Sequence, residues 1–198
     1  MNNQQKKNQR TIIILALMTA IPFSIAWYLT KNPDFQPMAT NKGDLIAPVV
    51  TTERNDLMGV DDFSVENIKE LEGHWVILNI IPNKGCNQLC IDAIHATKQL
   101  RLMLNKDLPR VRRAVILVQG VQEESFQPWW DADDRLLKVK PSSTLLEKIK
   151  QKVAAELTDG MIILMDPLGN LMMQYKSGFD PYAVKSDLKK LLRISQIG

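Results

Sequence analysis

The feature that most constrains this chain is a run of 19 residues without a charged side chain, at positions 11–29. At about 1.5 Å per residue, a helix of that length is roughly 28 Å long, which is close to the ~30 Å hydrocarbon core of a bilayer. Trp27 and Tyr28 lie near its far end, where amphipathic rings favour the headgroup region. We therefore predict that residues 11–29 cross the lipid bilayer as a single transmembrane helix.

The residues before this run predict its orientation. The first ten residues contain no acid and carry three positive charges, at Lys6, Lys7 and Arg10. Because basic segments stay on the cytoplasmic side, we predict a cytoplasmic head over 1–10 in the inner membrane and a periplasmic location for everything beyond the helix. A cleaved signal peptide is the alternative, but the apolar run exceeds the usual ~7–15 residues and no small-x-small site follows directly.

The rest of the chain is long enough for one domain. It has 198 residues in all, 45% of them hydrophobic, and no internal repeat. Without the three basic residues of the head, 22 of the 25 Lys and Arg remain, equal to the 22 acidic residues. A neutral body offers no field for nucleic acid, so we exclude that partner. Residues 30–42, with two prolines, are expected to be a tether, and residues 43–198 the domain.

Apolar runs predict the order of elements in the domain. We expect residues 51–62 to be loop, residues 106–113 to be a solvated basic loop, and Leu89 to face the sheet on the first long helix. The order β-α-β followed by α-β-β-α is that of an α/β thioredoxin-like sheet with flanking helices. The predicted strands are 44–50, 75–81, 114–118, 136–139, 161–165 and 171–175, and the predicted helices are 88–105, 141–156 and 181–194.

Cys86 and Cys90 are the two cysteines of the chain, and they follow the predicted buried strand at 75–81. Four residues apart on a helix, their Cα atoms would be about 6 Å apart, within disulfide range. A helix amino terminus favours thiolate, which both disulfide exchange and soft-metal binding require. A structural disulfide is the alternative, but closing so short a loop gains little entropy, and we favour a functional pair.

Three stretches together resemble the Sco/SenC proteins, membrane-anchored thioredoxin-like factors that handle copper during cytochrome c oxidase assembly. They are the anchor, the run at 73–78 leading into Cys86-x-x-x-Cys90, and the turn at 166–169. The resemblance implies a factor in cytochrome c oxidase biogenesis whose cysteines deliver Cu(I) or exchange disulfides. Copper would be its metal, and a respiratory oxidase subunit or another assembly factor its partner.

The chain departs from that family at one place. The family has a copper-binding histidine that would fall near residues 158–160, where this chain has none. The proline that oxidoreductases of this fold carry before the same strand is also missing. His74 should lie on the order of 20 Å from the cysteines, and His95 points about 140° away from Cys90 on the helix.

Met161 is therefore the third copper ligand that we predict beside Cys86 and Cys90, with Asp159 as the weaker candidate, because a thioether suits Cu(I). Core packing is the alternative account of Met161. Cys86 is the predicted nucleophile of the pair, because it lies at the exposed turn while Cys90 lies inside the first helical turn.

An interaction protein without catalysis is the alternative from another class. Such a protein would keep the disulfide for structure and contact its membrane partner through Trp129 and Trp130. The sequence has no phosphate-binding loop and no zinc cluster of the required spacing, so other enzyme classes lack support.

Overall fold

The computed structural model describes residues 3–32, 40–53, 55–83, 85–119, 133–153, 156–195 and 197. The chain divides into two compact units, Met1–Thr40 and Asn41–Gly198. Most of the expected tether lies outside the described residues, and so do Trp129 and Trp130.

The first unit contains the helix α1, which spans Asn3–Lys31. Within the described part of the chain, Gln4–Lys31 is the one helix long and apolar enough to cross a membrane, by length and composition. Two hydroxyl groups inside it bond to carbonyl groups of the preceding turn: Ser24 Oγ to Ala20 O at 2.8 Å and Thr19 Oγ1 to Ala16 O at 2.9 Å. These bonds satisfy the hydroxyl groups within the helix, as a lipid environment demands.

The described residues of the second unit include a mixed sheet of seven strands in the order β1-β7-β6-β3-β4-β5-β2. Strands β3, β4 and β5 run parallel, and the remaining pairs are antiparallel. This arrangement confirms the thioredoxin-like sheet, with β3 at its centre. The strands are β1 Asp44–Thr51, β2 Leu57–Gly59, β3 Trp75–Ile81, β4 Val111–Leu117, β5 Leu137–Pro141, β6 Ile162–Met165 and β7 Asn170–Tyr175.

Where the chain is described, four α-helices flank the sheet, and each begins after a residue whose side chain accepts a hydrogen bond from a backbone N–H of the first turn. These capping residues are Asp61, Asn87, Ser142 and Asp180. The helices are α2 Asp62–Asn67, α3 Gln88–Leu102, α4 Ser143–Lys152 and α5 Pro181–Ile194, and short 3-10 helices cover Ile68–Leu71 and Asn105–Arg110.

The core has two layers because β3 is buried on both faces. Leu78 of β3 packs in one cluster with Leu145 of α4. Its neighbour Ile77 packs in another cluster with Leu100 of α3 and Leu188 of α5. A fully buried leucine or isoleucine stabilises the fold by roughly 1.5–3 kcal/mol, so both layers hold the central strand in place.

The basic segment 106–113 differs from its prediction as a solvated loop. It forms a 3-10 helix and the start of β4, which begins at Val111. Arg113 is 6% exposed, because its guanidinium group bonds to Asp133 at 2.7 Å. Arg112 pairs with Glu70 at 2.6 Å. Arginines in a sequence predict a solvent-exposed segment, because an unpaired charge is costly to bury. A carboxylate partner removes much of that cost and lets an arginine lie inside the fold.

Two further predictions were wrong. Residues 51–62, expected to be loop, include strand β2 at one edge of the sheet. Leu89, expected to face the sheet, is 53% exposed. The buried face of α3 passes instead through Cys90, Ile94 and Thr97. Thr97 is buried because its hydroxyl bonds to the Asn79 side chain at 3.2 Å, a contact that a hydropathy pattern does not register.

Candidate functional site at the cysteine turn

Cys86 and Cys90 form a disulfide in which the Cα atoms are 5.3 Å apart. Cys86 lies in the turn between β3 and α3, and Cys90 lies in the first turn of α3. Cys90 is 2% exposed and packs with Ile94 and Val115, whereas Cys86 is partly buried at the edge of that cluster. The disulfide therefore has one enclosed half and one accessible half.

Asn87 fixes the start of the helix that carries Cys90. Its side-chain Oδ1 accepts a hydrogen bond from the backbone N–H of Cys90 at 3.1 Å. Its backbone carbonyl accepts from the N–H of Ile91 at 3.0 Å. The first amide groups of a helix have no partner within the helix, and this cap supplies one. Asn87 immediately precedes the predicted helix, which is the position that signals a cap in a sequence.

Asp159 lies in the turn before β6 and contacts the same region. Its Oδ2 accepts a hydrogen bond from Asn87 Nδ2 at 3.0 Å and from Asn83 Nδ2 at 3.3 Å. Its Oδ1 is buried and, among the described residues, has no hydrogen-bond partner. The carboxylate thus links the end of β3, the cap of α3 and the start of β6.

Gly160 brings this turn into direct contact with α3. Its φ is +81°, a backbone conformation that favours glycine. A Cβ atom at this position would lie 2.9 Å from the Leu89 carbonyl oxygen and 2.7 Å from Ser177 Oγ. Residues 159 and 160 therefore pack against the start of the helix that follows the cysteine turn.

Met161 is the next residue, but its side chain packs elsewhere. It is 1% exposed and belongs to the cluster of Leu78 and Ile80. Cys90 belongs to the cluster of Ile81. Because successive residues of a strand face opposite sides, Ile80 and Ile81 place these clusters on opposite faces of the sheet. Copper binding by Met161 stays a prediction, and it would require the side chain to leave this cluster.

The two histidines lie outside the cysteine turn. His74 is partly exposed, with Nδ1 3.0 Å from the Glu72 carbonyl oxygen. His95 is exposed on α3. Where the structure describes the chain, no three or more His, Cys, Asp or Glu side chains form a group that could hold a metal ion. The soft donors at the turn are the two sulfur atoms.

A buried polar network supports α3 behind the disulfide. Arg113 of β4 donates to the Ile94 carbonyl at 2.9 Å and to Thr97 Oγ1 at 3.3 Å. Burial lowers the pKa of the Arg113 guanidinium, and the Asp133 carboxylate opposes that shift. These bonds attach the middle of α3 to the sheet, and α3 carries Cys90 in its first turn.

Comparison with known proteins identified one family and several solved structures that are similar to this chain. A sequence model of the family described as "Transmembrane-like, thioredoxin-like, C-terminal domain" matches residues 75–195. No curated protein matches the chain by sequence. Apo Sco1 from Thermus thermophilus is similar in structure, with a TM-score of 0.53 and 14% identity, over 79% of this chain and 99% of that one. This likeness supports the thioredoxin-like fold.

Two other solved structures are similar with lower scores. Copper-bound ScoI from Arabidopsis thaliana has a TM-score of 0.46 and 20% identity, over 64% of this chain and 89% of that one. The thioredoxin domain of a thiol-disulfide oxidoreductase from Bacteroides vulgatus has a TM-score of 0.46 and 14% identity, over 76% of this chain and 96% of that one.

Proposed function

The chain belongs to the family of transmembrane-like, thioredoxin-like C-terminal domains, and on this premise we propose that it is a membrane-anchored thiol-disulfide exchange factor. Cys86 and Cys90 are its redox pair. The observation that carries the proposal is their unequal burial, with Cys86 partly accessible and Cys90 2% exposed. Disulfide exchange needs this inequality, because a partner must reach one sulfur while the other completes the reaction internally.

The exchange would proceed in two steps from the reduced pair. The Cys86 thiolate attacks one sulfur of a partner's disulfide, and the partner's other sulfur leaves with the bonding electrons and takes a proton from water. Cys90 then loses its proton and attacks Cys86 Sγ, which releases the first partner sulfur as a second thiol. Two electrons have passed to the partner, and the chain regains the Cys86–Cys90 disulfide of the structure. A second dithiol protein must reduce it again by the reverse exchange.

We infer the location and partner from the ends of α1 and from the Sco/SenC resemblance. Basic residues precede the helix, so the domain would lie on the periplasmic side of the inner membrane. Disulfides persist in that compartment. The partner would be a respiratory oxidase subunit or another assembly factor, whose metal-binding cysteines the chain would keep reduced during cytochrome c oxidase biogenesis.

Cu(I) delivery is the second candidate, and the donor atoms at the turn support it less well. The reduced pair would offer two thiolates, which suit Cu(I). The carboxylate of Asp159, which contacts the Asn87 cap, is a hard oxygen donor already bonded to two amide groups. A third soft donor would have to come from Met161, which is buried in the opposite layer.

The test of both candidates uses the full chain in detergent, beside a variant with Cys86→Ser and Cys90→Ser. The proposal predicts that the wild-type pair reaches equilibrium with glutathione redox buffers. It also predicts that a Cu(I) titration against a chromophoric chelator shows no tight one-to-one binding. Tight binding that the double variant loses would replace exchange with copper delivery. If the double variant still supports oxidase assembly in cells, the chain is an interaction protein with a structural disulfide.

A further inference from the structure

We propose that Asp159 is a positioning residue for the cysteine pair: its carboxylate orients the Asn87 cap, and its negative charge favours the disulfide over the reduced pair. This inference rests on the proposed exchange function and names a residue that regulates it. It gives Asp159 a role that does not involve binding a metal.

The orientation follows from the chemistry of the two side chains. A carboxylate can only accept hydrogen bonds, whereas an asparagine amide has one accepting oxygen and one donating nitrogen. Asp159 Oδ2 therefore selects Asn87 Nδ2, 3.0 Å away. The amide oxygen must then face the other way, where it accepts from the Cys90 N–H at 3.1 Å. If the amide were reversed, its oxygen would face the Asp159 carboxylate, and its nitrogen would face the Cys90 N–H, which is also a donor.

The backbone around Asp159 keeps the carboxylate in this place. The next residue, Gly160, packs so closely on α3 that a Cβ would lie 2.9 Å from the Leu89 carbonyl oxygen. The second amide bond, from Asn83 at 3.3 Å, holds the carboxylate from the side of β3. Two hydrogen bonds thus hold the side chain, and the close packing of Gly160 holds the backbone that carries it.

The charge acts on the redox equilibrium. Asp159 Oδ1 is buried and, in the described part of the chain, lacks a hydrogen-bond partner, so the charge is only partly compensated. The disulfide is neutral, whereas the reduced pair carries negative charge to the extent that the helix amino terminus keeps a cysteine as thiolate. Like charges in a partly buried site repel. Asp159 therefore stabilises the disulfide relative to the reduced pair.

The experiment is a redox titration of the full chain in detergent, in glutathione buffers, with the reduced fraction read from the mass gained on alkylation. Asp159→Asn keeps an accepting oxygen for Asn87 and removes the charge. We expect it to raise the equilibrium constant for reduction about 3- to 10-fold, where tenfold corresponds to about 30 mV. The control is Asp92→Asn, which removes an exposed charge of α3 that bonds to Gln88 at 2.8 Å. The control should change the constant less than about twofold, because an exposed charge is screened.

A second variant tests the orientation. Asp159→Ala removes both the charge and the hydrogen bond to Asn87, so Asn87 no longer holds its oxygen toward the Cys90 N–H. Hydrogen exchange at the Cys90 amide should therefore accelerate about tenfold in this variant and stay near the wild-type rate in Asp159→Asn. An unchanged reduction constant in Asp159→Asn, with a wild-type pair that equilibrates normally, would overturn this inference and leave the exchange function standing. A wild-type disulfide that no dithiol reduces would overturn the exchange function itself.

Discussion

Arg113 donates a hydrogen bond of 2.7 Å to Asp133, and both side chains are at most 9% exposed. The same guanidinium group reaches the Ile94 carbonyl at 2.9 Å. The pair therefore joins β4, the helix of Cys90 and the segment that leads into β5. This buried ion pair holds the helix that carries Cys90 against the sheet.

Asp133→Ala should lower the free energy of unfolding by about 3–5 kcal/mol, because it leaves the Arg113 guanidinium buried and unpaired. The control is Glu70→Ala, which removes the partner of Arg112 in a pair whose side chains are 22% and 37% exposed. We expect that change to cost about 0–1 kcal/mol. Urea unfolding of the full chain in detergent, followed by tryptophan fluorescence, measures both. Equal losses of unfolding free energy in the two variants would contradict the conclusion that the buried Arg113–Asp133 pair matters more to stability than the Arg112–Glu70 pair.

Gly160→Ala tests the contact between the turn before β6 and α3. Gly160 and Gly178 have similar φ values, +81° and +75°, so alanine is strained at either position. That strain should cost about 1–2 kcal/mol at each. A Cβ at Gly178 meets nothing within 4 Å, whereas one at Gly160 meets the Leu89 carbonyl oxygen. Thermal unfolding should therefore occur at a lower temperature in Gly160→Ala than in Gly178→Ala, and matching temperatures would argue against the close contact.

Alkylation of the reduced chain should label Cys86 before Cys90. Cys86 is partly accessible in its turn, whereas Cys90 is 2% exposed within the core. Brief treatment with iodoacetamide followed by peptide mass analysis gives the order. Cys90→Ser should be labelled at nearly the wild-type initial rate, and Cys86→Ser far more slowly. Faster labelling of Cys90 would reverse the roles of the two sulfur atoms.

Asp56 should make stability depend on pH in the acid range. Burial raises the pKa of its carboxyl. Hydrogen bonds from the Ser142 hydroxyl and the Glu53 amide, together with the charge of Lys148, lower the pKa by more, so the net shift is downward from 3.8. The folded state then binds fewer protons than the unfolded state, and the stabilisation present above that value is lost as the pH falls through the folded pKa.

Asp56→Asn should accordingly melt below the wild type at pH 7, and the difference should shrink as the pH falls below about 4. Thermal unfolding at several pH values between these limits provides the measurement. Asp44→Asn is the matched control, since the Asp44 side chain is 61% exposed, and its difference from the wild type should remain small throughout. A constant deficit for Asp56→Asn would show that the carboxyl contributes nothing through ionisation.

Parts of the fold could be predicted because burial leaves a local pattern. A strand buried on both faces is a continuous apolar run, and β3 has the predicted limits, Trp75 to Ile81. Helix α5 is predicted by apolar residues on one face only. Strand β2 has three residues and is defined by its pairing with β5. A run so short has no periodicity of its own, so only the pairing reveals it.

The site divides in the same way. Both cysteines and their place after a central strand follow from local sequence. The cap at Asn87 was not predicted, although an asparagine directly before a helix is a local signal that could have identified it. The bonds that join Asp159 to Asn87 and Asn83 connect residues 72 and 76 positions apart. They depend on the antiparallel pairing of β6 with β3, which determines which side chains meet. Asn83 carries no sequence signal, because an asparagine after a strand is an ordinary loop residue.

The pairing of β6 with β3 also separates architecture from reactivity in this domain. The start of β6 meets the end of β3, so the residue at 159 lies outside both strands and its side chain bonds to the Asn87 cap of the helix that carries Cys90. A different side chain there would alter the donor atoms and the charge at the turn and leave the register of the sheet untouched. Position 159 is thus a place where one substitution changes the chemistry of the turn while the strand pairing of the core stays in place.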